Sequence, residues 1–159
     1  MTKTARVTEG DLFDAQLLHA RPGGAKTLLF LFILLVFGYY LYREVGVAPG
    51  TLAGGFLGGL VGFVGYFALF LKFKCKKIYR QQRNLQLPYE FSWDSSGIEM
   101  KNEMGKGRIE WSDFVKFKES KKVILLYQSD ALFNIVPKTA FENEQQLSEF
   151  SSHLQKVHG

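Results

Sequence analysis

The feature that most constrains this chain is a pair of long runs that carry no charged side chain, at residues 27–42 and 51–71. As a helix, the second run is long enough to cross the hydrocarbon core of a bilayer, which is about 30 Å thick. The first run is shorter, so the stems of Lys26 and Arg43 at its ends must reach towards the headgroups. The sequence therefore predicts two transmembrane helices.

Residues 43–50 separate the two runs and contain Pro49 and Gly50, which suit a reversal of the chain. We therefore expect the two helices to be antiparallel neighbours, forming a transmembrane hairpin. A cleaved signal peptide is disfavoured, because the segment before the first run is long and contains Glu9, Asp11 and Asp14. No small-residue cleavage pattern follows that run either.

The formal net charge of +5 is concentrated in residues 72–83, which carry no acidic side chain. The basic residues of this block are Lys72, Lys74, Lys76, Lys77, Arg80 and Arg83. Basic residues beside a hydrophobic helix favour the cytoplasmic side, and Arg21 and Lys26 place the other end there too. The block is expected to contact the membrane surface, and nucleic-acid binding is disfavoured because the excess charge lies at the membrane edge.

Glycines recur every four residues along the second run, at Gly50, Gly54, Gly58 and Gly62. Such a face lets another helix approach closely in lipid, so these glycines are candidate helix-packing residues. Two interpretations remain: the first helix of the hairpin fills the groove, or copies of the chain self-associate through it. The run lacks charged side chains, which argues against a channel or a transporter.

Before the membrane segment, Thr8 and Asp11 have the spacing of a helix N-terminal capping pair. They predict a short amphipathic helix over residues 8–20, with Phe13 and Leu17 on one face, lying on the bilayer surface. Residues 21–24 then break the helix.

After the basic block, apolar and polar residues alternate over 89–93, which is typical of a half-buried strand. Further strands are predicted around Ile98, Ile109–Trp111, Val115–Phe117, 123–127 and 132–136, the last ended by Pro137. The turns between them are expected at residues 94–97, 104–107, 120–122 and 129–130.

Asn143 and Gln146 then form a capping pair for a terminal helix whose apolar face is Leu147, Phe150, Leu154 and Val157. The predicted fold is an α+β membrane protein, with a two-helix transmembrane hairpin followed by a small antiparallel β-roll capped by a C-terminal helix. The predicted domains are an N-terminal cytoplasmic segment at 1–26, the hairpin with its basic extension at 27–83, and a cytoplasmic β domain at 84–159.

This arrangement resembles the YcxB-like family of bacterial membrane proteins. The most specific segments are IEWSD, within residues 107–113, and IVPKTAF, at residues 135–141. The resemblance also takes in the TEGDLFDAQ stretch near the N-terminus. It implies a bacterial inner-membrane protein whose soluble part is similar to pleckstrin-homology-like domains, and it carries no established activity. Trp111 and Phe141 are expected in the core, and Lys138 is expected to be exposed.

The sequence shows no nucleophile–base pattern, phosphate loop or metal-ligand spacing, and its histidines are scattered at 19, 153 and 158. Cys75 is the only cysteine, which excludes an internal disulfide and a cysteine-based zinc site. The prediction is a non-enzymatic protein without a cofactor or catalytic residue.

The function predicted from these features is a membrane-tethered binding module for a protein or for an acidic lipid. Lys106, Arg108 and Lys138 are the candidate binding residues. A wider basic face would comprise Lys101, Lys106, Arg108, Lys116, Lys118, Lys121 and Lys122. The alternative is an immunity or regulatory protein that neutralises a membrane-active or membrane-delivered toxin, which needs only an anchor and a recognition surface.

Overall fold

The computed structural model of the protein describes residues 2–21 and 24–157. The chain divides into two compact units. Met1–His19 and Phe73–Gly159 together form the first unit, and Ala20–Lys72 form the second. The first unit is thus built from chain segments on both sides of the apolar region.

The first unit contains a four-stranded antiparallel sheet, in the order β1-β2-β3-β4. Its strands are β1 at Thr2–Ala5, β2 at Tyr89–Trp93, β3 at Gly97–Asn102 and β4 at Gly105–Glu110. The strands predicted at residues 89–93 and around Ile98 are confirmed, whereas the strand predicted at Ile109–Trp111 begins earlier, at Gly105, and ends at Glu110. The turn between β3 and β4 comes earlier than predicted, because the Asn102 side-chain oxygen accepts hydrogen bonds from the backbone N–H groups of Met104 and Gly105, at 2.9 and 3.1 Å.

Strand β1 was not predicted, and it changes the interpretation of the N-terminus. Thr2, Lys3, Thr4 and Ala5 pair with Ser92, Phe91, Glu90 and Tyr89, so the N-terminal residues form an edge of the sheet. Lys3 and Ala5 face inward, and the Lys3 ammonium bonds Glu142 at 2.5 Å. The N-terminus is therefore part of the β fold.

A second sheet of three antiparallel strands has the order β5-β6-β7. Its strands are β5 at Lys116–Glu119, β6 at Val123–Tyr127 and β7 at Phe133–Pro137. Every residue of β6 is fully buried. Ile124 and Leu126 belong to the main core, whereas Val123, Leu125 and Tyr127 belong to a second cluster under helix α1, at Glu9–Ala20. Burial on both faces explains the uninterrupted apolar run VILLY.

Helix α1 begins with the predicted capping pair: the Thr8 backbone N–H donates to the Asp11 carboxylate at 2.9 Å, and the Asp11 N–H donates to the Thr8 hydroxyl at 3.1 Å. The predicted apolar face is wrong, because Phe13 and Leu17 are only half-buried. Contact of this helix with a bilayer stays a prediction. The buried residues are Leu12, Ala15 and Leu18, and the last two pack against β6. Pro22 and Gly23, within the predicted break, lie outside the described residues.

The main core is built around the aromatic ring of Phe150 on helix α5, at Glu144–Leu154. The rings of Trp93, Trp111 and Phe141 lie with their centroids 5.3, 5.8 and 5.2 Å from it. Trp111 begins a 3-10 turn, Trp111–Asp113, instead of ending a strand, and its indole N–H donates to the Asp94 carbonyl at 2.9 Å. The predicted core roles of Trp111 and Phe141 are confirmed.

The predicted N-cap of α5 is also confirmed, since the Asn143 side chain accepts a hydrogen bond from the Gln146 backbone N–H at 2.9 Å. On the predicted face, Phe150, Leu154 and Val157 are buried and Leu147 packs against them. Pro137 ends β7, as expected, and the 3-10 turn Lys138–Ala140 follows it.

The apolar region forms helix α2, at Gly24–Arg43, and most of helix α3, at Pro49–Gln81. Helix α3 is long and apolar enough to cross a membrane, and 6% of its most apolar 18-residue segment is buried. The apolar part of α2, Thr27–Arg43, is shorter. Large apolar side chains stay exposed along both helices, from Leu28 to Phe73.

Candidate binding surfaces

The basic block lies on the C-terminal part of α3 and on the short helix α4, at Arg83–Gln86. All six basic residues are exposed. Within the described parts of the chain, none of the six forms an ion pair. An exposed block of unpaired positive charge is available to an external anion.

Packing on the opposite side of α3 determines which way the block faces. Cys75 is buried, Ile78 and Tyr79 are half-buried, and the Tyr79 hydroxyl donates to the Val7 carbonyl at 3.0 Å. The Gln86 side-chain amide donates to the Tyr79 carbonyl at 2.7 Å near the end of the helix. These contacts fix the inner face of α3, and the buried Cys75 thiol belongs to it.

Lys106 and Arg108 lie two residues apart on β4, and both already have partners. The Lys106 ammonium lies 3.0 Å from the Glu99 carboxylate. The Arg108 guanidinium donates to Asp94 at 2.6 Å and to the Ser96 hydroxyl at 2.5 Å. Hydrogen bonds from Arg108, and then from Ser96, hold the pKa of the Asp94 carboxyl well below its usual range.

The expectation that Lys138 is exposed is wrong. Its side chain is 18% exposed and forms an ion pair with Glu119. The structure does not group it with Lys106 and Arg108, because those two lie on the four-stranded sheet and Lys138 follows the three-stranded one.

Much of the wider basic face predicted from the sequence is likewise engaged inside the first unit. Lys116 pairs with Asp130, and Lys122 lies 2.8 Å from the Asp14 carboxylate. Lys118 donates to the carbonyls of Leu18 and His19 at 3.3 and 3.2 Å, at the end of α1. These lysines hold α1 and the turns in place, so the α3–α4 block differs from them in lacking partners.

The glycine face of α3 is open. A Cβ added at Gly50, Gly54, Gly58 or Gly62 would meet no neighbouring atom within 4 Å. Helix α2 instead approaches α3 near Phe56, whose ring would lie 3.4 Å from a Cβ at Gly38. Gly54 and Gly58 each lie two residues from Phe56 along the helix. Residues two apart face roughly opposite sides of an α-helix, so both glycines lie on the side away from the Phe56 ring. Of the two interpretations, filling by α2 is therefore wrong, and self-association stays a prediction.

The sequence did not predict a cavity of about 320 Å³ in the first unit. It lies where β7 faces the end of the four-stranded sheet, and Tyr89, Met100, Asn102 and Asn134 help to line it. The one available signal was Asn134, a polar residue in the otherwise apolar stretch 132–136.

Two histidines lie in aromatic contacts. His153 stacks on Trp111 with centroids 5.7 Å apart, and the His19 Nδ1 lies 3.0 Å from the Tyr127 hydroxyl. His158 lies outside the described residues. Among residues 2–21 and 24–157, no group of three or more histidine, cysteine, aspartate or glutamate side chains is placed to hold a metal ion.

A protein-family model matches part of the chain. Neither a curated protein nor a solved structure is significantly similar to the chain. A family model described as YcxB-like protein matches residues 93–154, which run from the end of β2 to the end of α5. The match covers less than half of the chain and does not include the TEGDLFDAQ stretch. Over residues 93–154, the resemblance predicted from the sequence is confirmed, since this part of the chain is similar to the YcxB-like family model.

Proposed function

We propose that the protein is a non-enzymatic inner-membrane protein, in which α2 and α3 form a transmembrane hairpin and the first unit is a cytoplasmic, pleckstrin-homology-like binding module. The observation that carries the proposal is the pairing of β1 with β2. It joins the two chain segments that flank the apolar helices.

The pairing supports a hairpin because two strands of one sheet must lie on the same side of a membrane. If α3 crosses the bilayer, the chain between Ala20 and α3 must cross it as well, so that β1 and β2 can meet. Helix α2 is the only described helix in that stretch. Its 20 residues would extend about 30 Å, which matches the hydrocarbon core.

Charge supports the cytoplasmic orientation. The block on α3 and α4 carries six exposed basic residues, whereas the loop between α2 and α3, at residues 44–48, carries none. The positive-inside rule then places both ends of the chain in the cytoplasm. At that position, the unpaired lysines would lie at the level of acidic headgroups, where each contributes about 1 kcal/mol of attraction.

A cysteine-labelling experiment tests the topology. In a Cys75→Ala background, Val45→Cys in the loop is expected to react with a membrane-impermeant maleimide in intact spheroplasts. Thr2→Cys and Met104→Cys should react only after permeabilisation, because both would lie on the cytoplasmic side. All three positions are exposed, so a lack of reaction would report sidedness. Labelling of Thr2→Cys and Met104→Cys from opposite sides would contradict the proposal.

A second experiment tests the acidic-lipid contact. In nanodiscs, the first unit is expected to unfold at a higher temperature when phosphatidylglycerol is added to phosphatidylcholine, and salt should reduce the difference. Tryptophan fluorescence reports this unit, since Trp93 and Trp111 are the only tryptophans. The triple variant Lys74→Gln, Lys76→Gln, Lys77→Gln should lose the lipid effect.

The matched control removes the same charge from lysines that have partners, at Lys106, Lys116 and Lys122. It should unfold at a lower temperature in both lipid compositions and keep the difference between them. If both triple variants lose the lipid effect equally, net charge explains it and the block is not a specific contact.

A further inference from the structure

The cavity beside β7 is bordered by the edge of that strand. Phe133, Asn134 and Ile135 are consecutive, and all three line it. Successive side chains point to opposite faces of a strand, so three consecutive residues border one space when the strand's hydrogen-bonding edge faces it. Strand β7 is the last strand of its sheet, so no strand of residues 2–21 or 24–157 lies beside this edge.

The register shows which backbone groups point out from this edge. The Gln128 N–H donates to the Leu132 carbonyl at 2.9 Å, and the Lys138 N–H donates to the Lys122 carbonyl at 2.8 Å. Bonded pairs alternate along an antiparallel ladder, so the backbone of Asn134, which lies opposite Leu126, points towards β6. The N–H and C=O groups of Phe133 and Ile135 therefore point away from β6.

One of these outward groups already has a side-chain partner. The Tyr89 hydroxyl donates to the Ile135 carbonyl at 2.8 Å. Burial, and to a lesser extent the charge of Asp11, raises the pKa of Tyr89, so the hydroxyl keeps the proton that it donates. The backbone groups of Phe133 and the N–H of Ile135 remain for another partner. Pro137 has no N–H and ends the available edge.

The space beside the edge has room and amide chemistry. A Cβ added at Gly105, on the far side, would meet no atom within 4 Å. The Asn134 side-chain nitrogen is buried and has no hydrogen-bond partner among the described residues. Among the described lining residues, Lys101 is the only charged one. It follows the core-facing Met100 on β3, so its side chain points to the opposite face of that strand. The lining is thus mainly apolar and amide, which suits an uncharged peptide more than an ionic ligand.

We propose that the open edge of β7 binds an extended, uncharged peptide segment of a partner protein as an additional strand. Backbone hydrogen bonds to Phe133 and Ile135 provide the attachment, and an apolar side chain of the segment occupies the cavity beside Gly105. This inference rests on the proposed function, because it names the partner class of the binding module. The cysteine-labelling experiment measures the membrane topology without reference to peptide binding. The proposed topology and the peptide-binding inference can therefore fail separately.

The test uses the full-length protein in nanodiscs and the capped peptide acetyl-Ala-Val-Ala-Val-Ala-amide. In protein labelled with ¹⁵N-isoleucine, the Ile135 amide signal is expected to shift on titration and to become protected from hydrogen exchange. An Ile135→Val variant identifies the signal. The same peptide with alternate N-methylated amides has lost backbone donors on one edge and should bind far more weakly. Equal binding of the two peptides, or shifts that leave Ile135 unchanged, would overturn the proposal.

Two variants change the affinity in opposite directions. Gly105→Leu fills the cavity and should abolish binding, and Gly105→Ala, which fills less of it, should weaken binding only partly. Tyr89→Phe releases the Ile135 carbonyl to the peptide and should tighten binding about fivefold, the value of one additional hydrogen bond. Trp93 and Trp111 fluorescence checks that each variant is folded. Unchanged binding in folded Gly105→Leu or in folded Tyr89→Phe would contradict attachment at this edge.

Discussion

Replacing Gly97 with alanine is expected to lower the free energy of unfolding of the first unit by about 3 kcal/mol or more. A Cβ at this position would lie 2.3 Å from the Ile109 carbonyl oxygen and 3.0 Å from the Glu110 Cα. Both are backbone atoms of the partner strand, so no side chain can rotate away, and β3 and β4 must separate. Gly97 does not have a positive φ, so the cost arises from contact and not from backbone conformation.

Gly105→Ala is the matched control, because Gly105 lies on the neighbouring strand and its added methyl group meets no atom within 4 Å. Thermal or denaturant unfolding in detergent, followed by tryptophan fluorescence, should give a large loss for Gly97→Ala and little change for Gly105→Ala. Equal stabilities of the two variants would mean that β3 and β4 are not paired at Gly97 as the structure has them.

Local sequence patterns predicted the parts of the fold that depend on local contacts. Residues 123–127 are apolar throughout because β6 is covered on both faces, and such a run is recognisable without knowing what covers it. The Asn143 cap and the helix face with Phe150 could also be predicted, because each depends only on residues three or four apart in the sequence. Trp111 was predicted as a core residue, although its backbone forms a 3-10 turn.

Features that depend on distant contacts could not be read in this way. Strand β1 has Lys3 and Ala5 on its inner face, so it lacks the alternating large apolar residues of a strand, and only its pairing with β2 makes it one. Lys138 looked like a solvated charge after a proline because its partner, Glu119, is distant in sequence. The cavity at the β7 edge depends on the approach of two sheets, which no single segment encodes.

The missed strand is also what connects the fold to the proposed function. A chain whose soluble fold began after the basic block could place its N-terminus on either side of a membrane. Because β1 completes the sheet, the proposed topology would couple insertion of the helices to folding of the first unit, and an odd number of crossings would be incompatible with the native sheet. A variant that weakens β1 is therefore informative about both.

Ala5→Lys is expected to lower the free energy of unfolding by about 3–5 kcal/mol, the cost of an unpaired buried charge. Ala5 is 6% exposed, packs in the main core and shares the inner face of β1 with Lys3, whose ammonium already bonds Glu142. A second lysine there is buried beside a like charge. Burial lowers a lysine pKa, so the loss should be full at pH values below the folded-state pKa and should shrink as the pH rises towards the ordinary lysine value.

Thr4→Lys is the control, since Thr4 is exposed on the outer face of the same strand and lies opposite Glu90. The added charge is the same, but a cross-strand pair with Glu90 should leave stability unchanged or raise it by about 0.5 kcal/mol. Unfolding followed by tryptophan fluorescence measures both variants. If Ala5→Lys were as stable as Thr4→Lys, β1 would not be part of the sheet. The two ends of the chain would then not be required to lie on one side of a membrane.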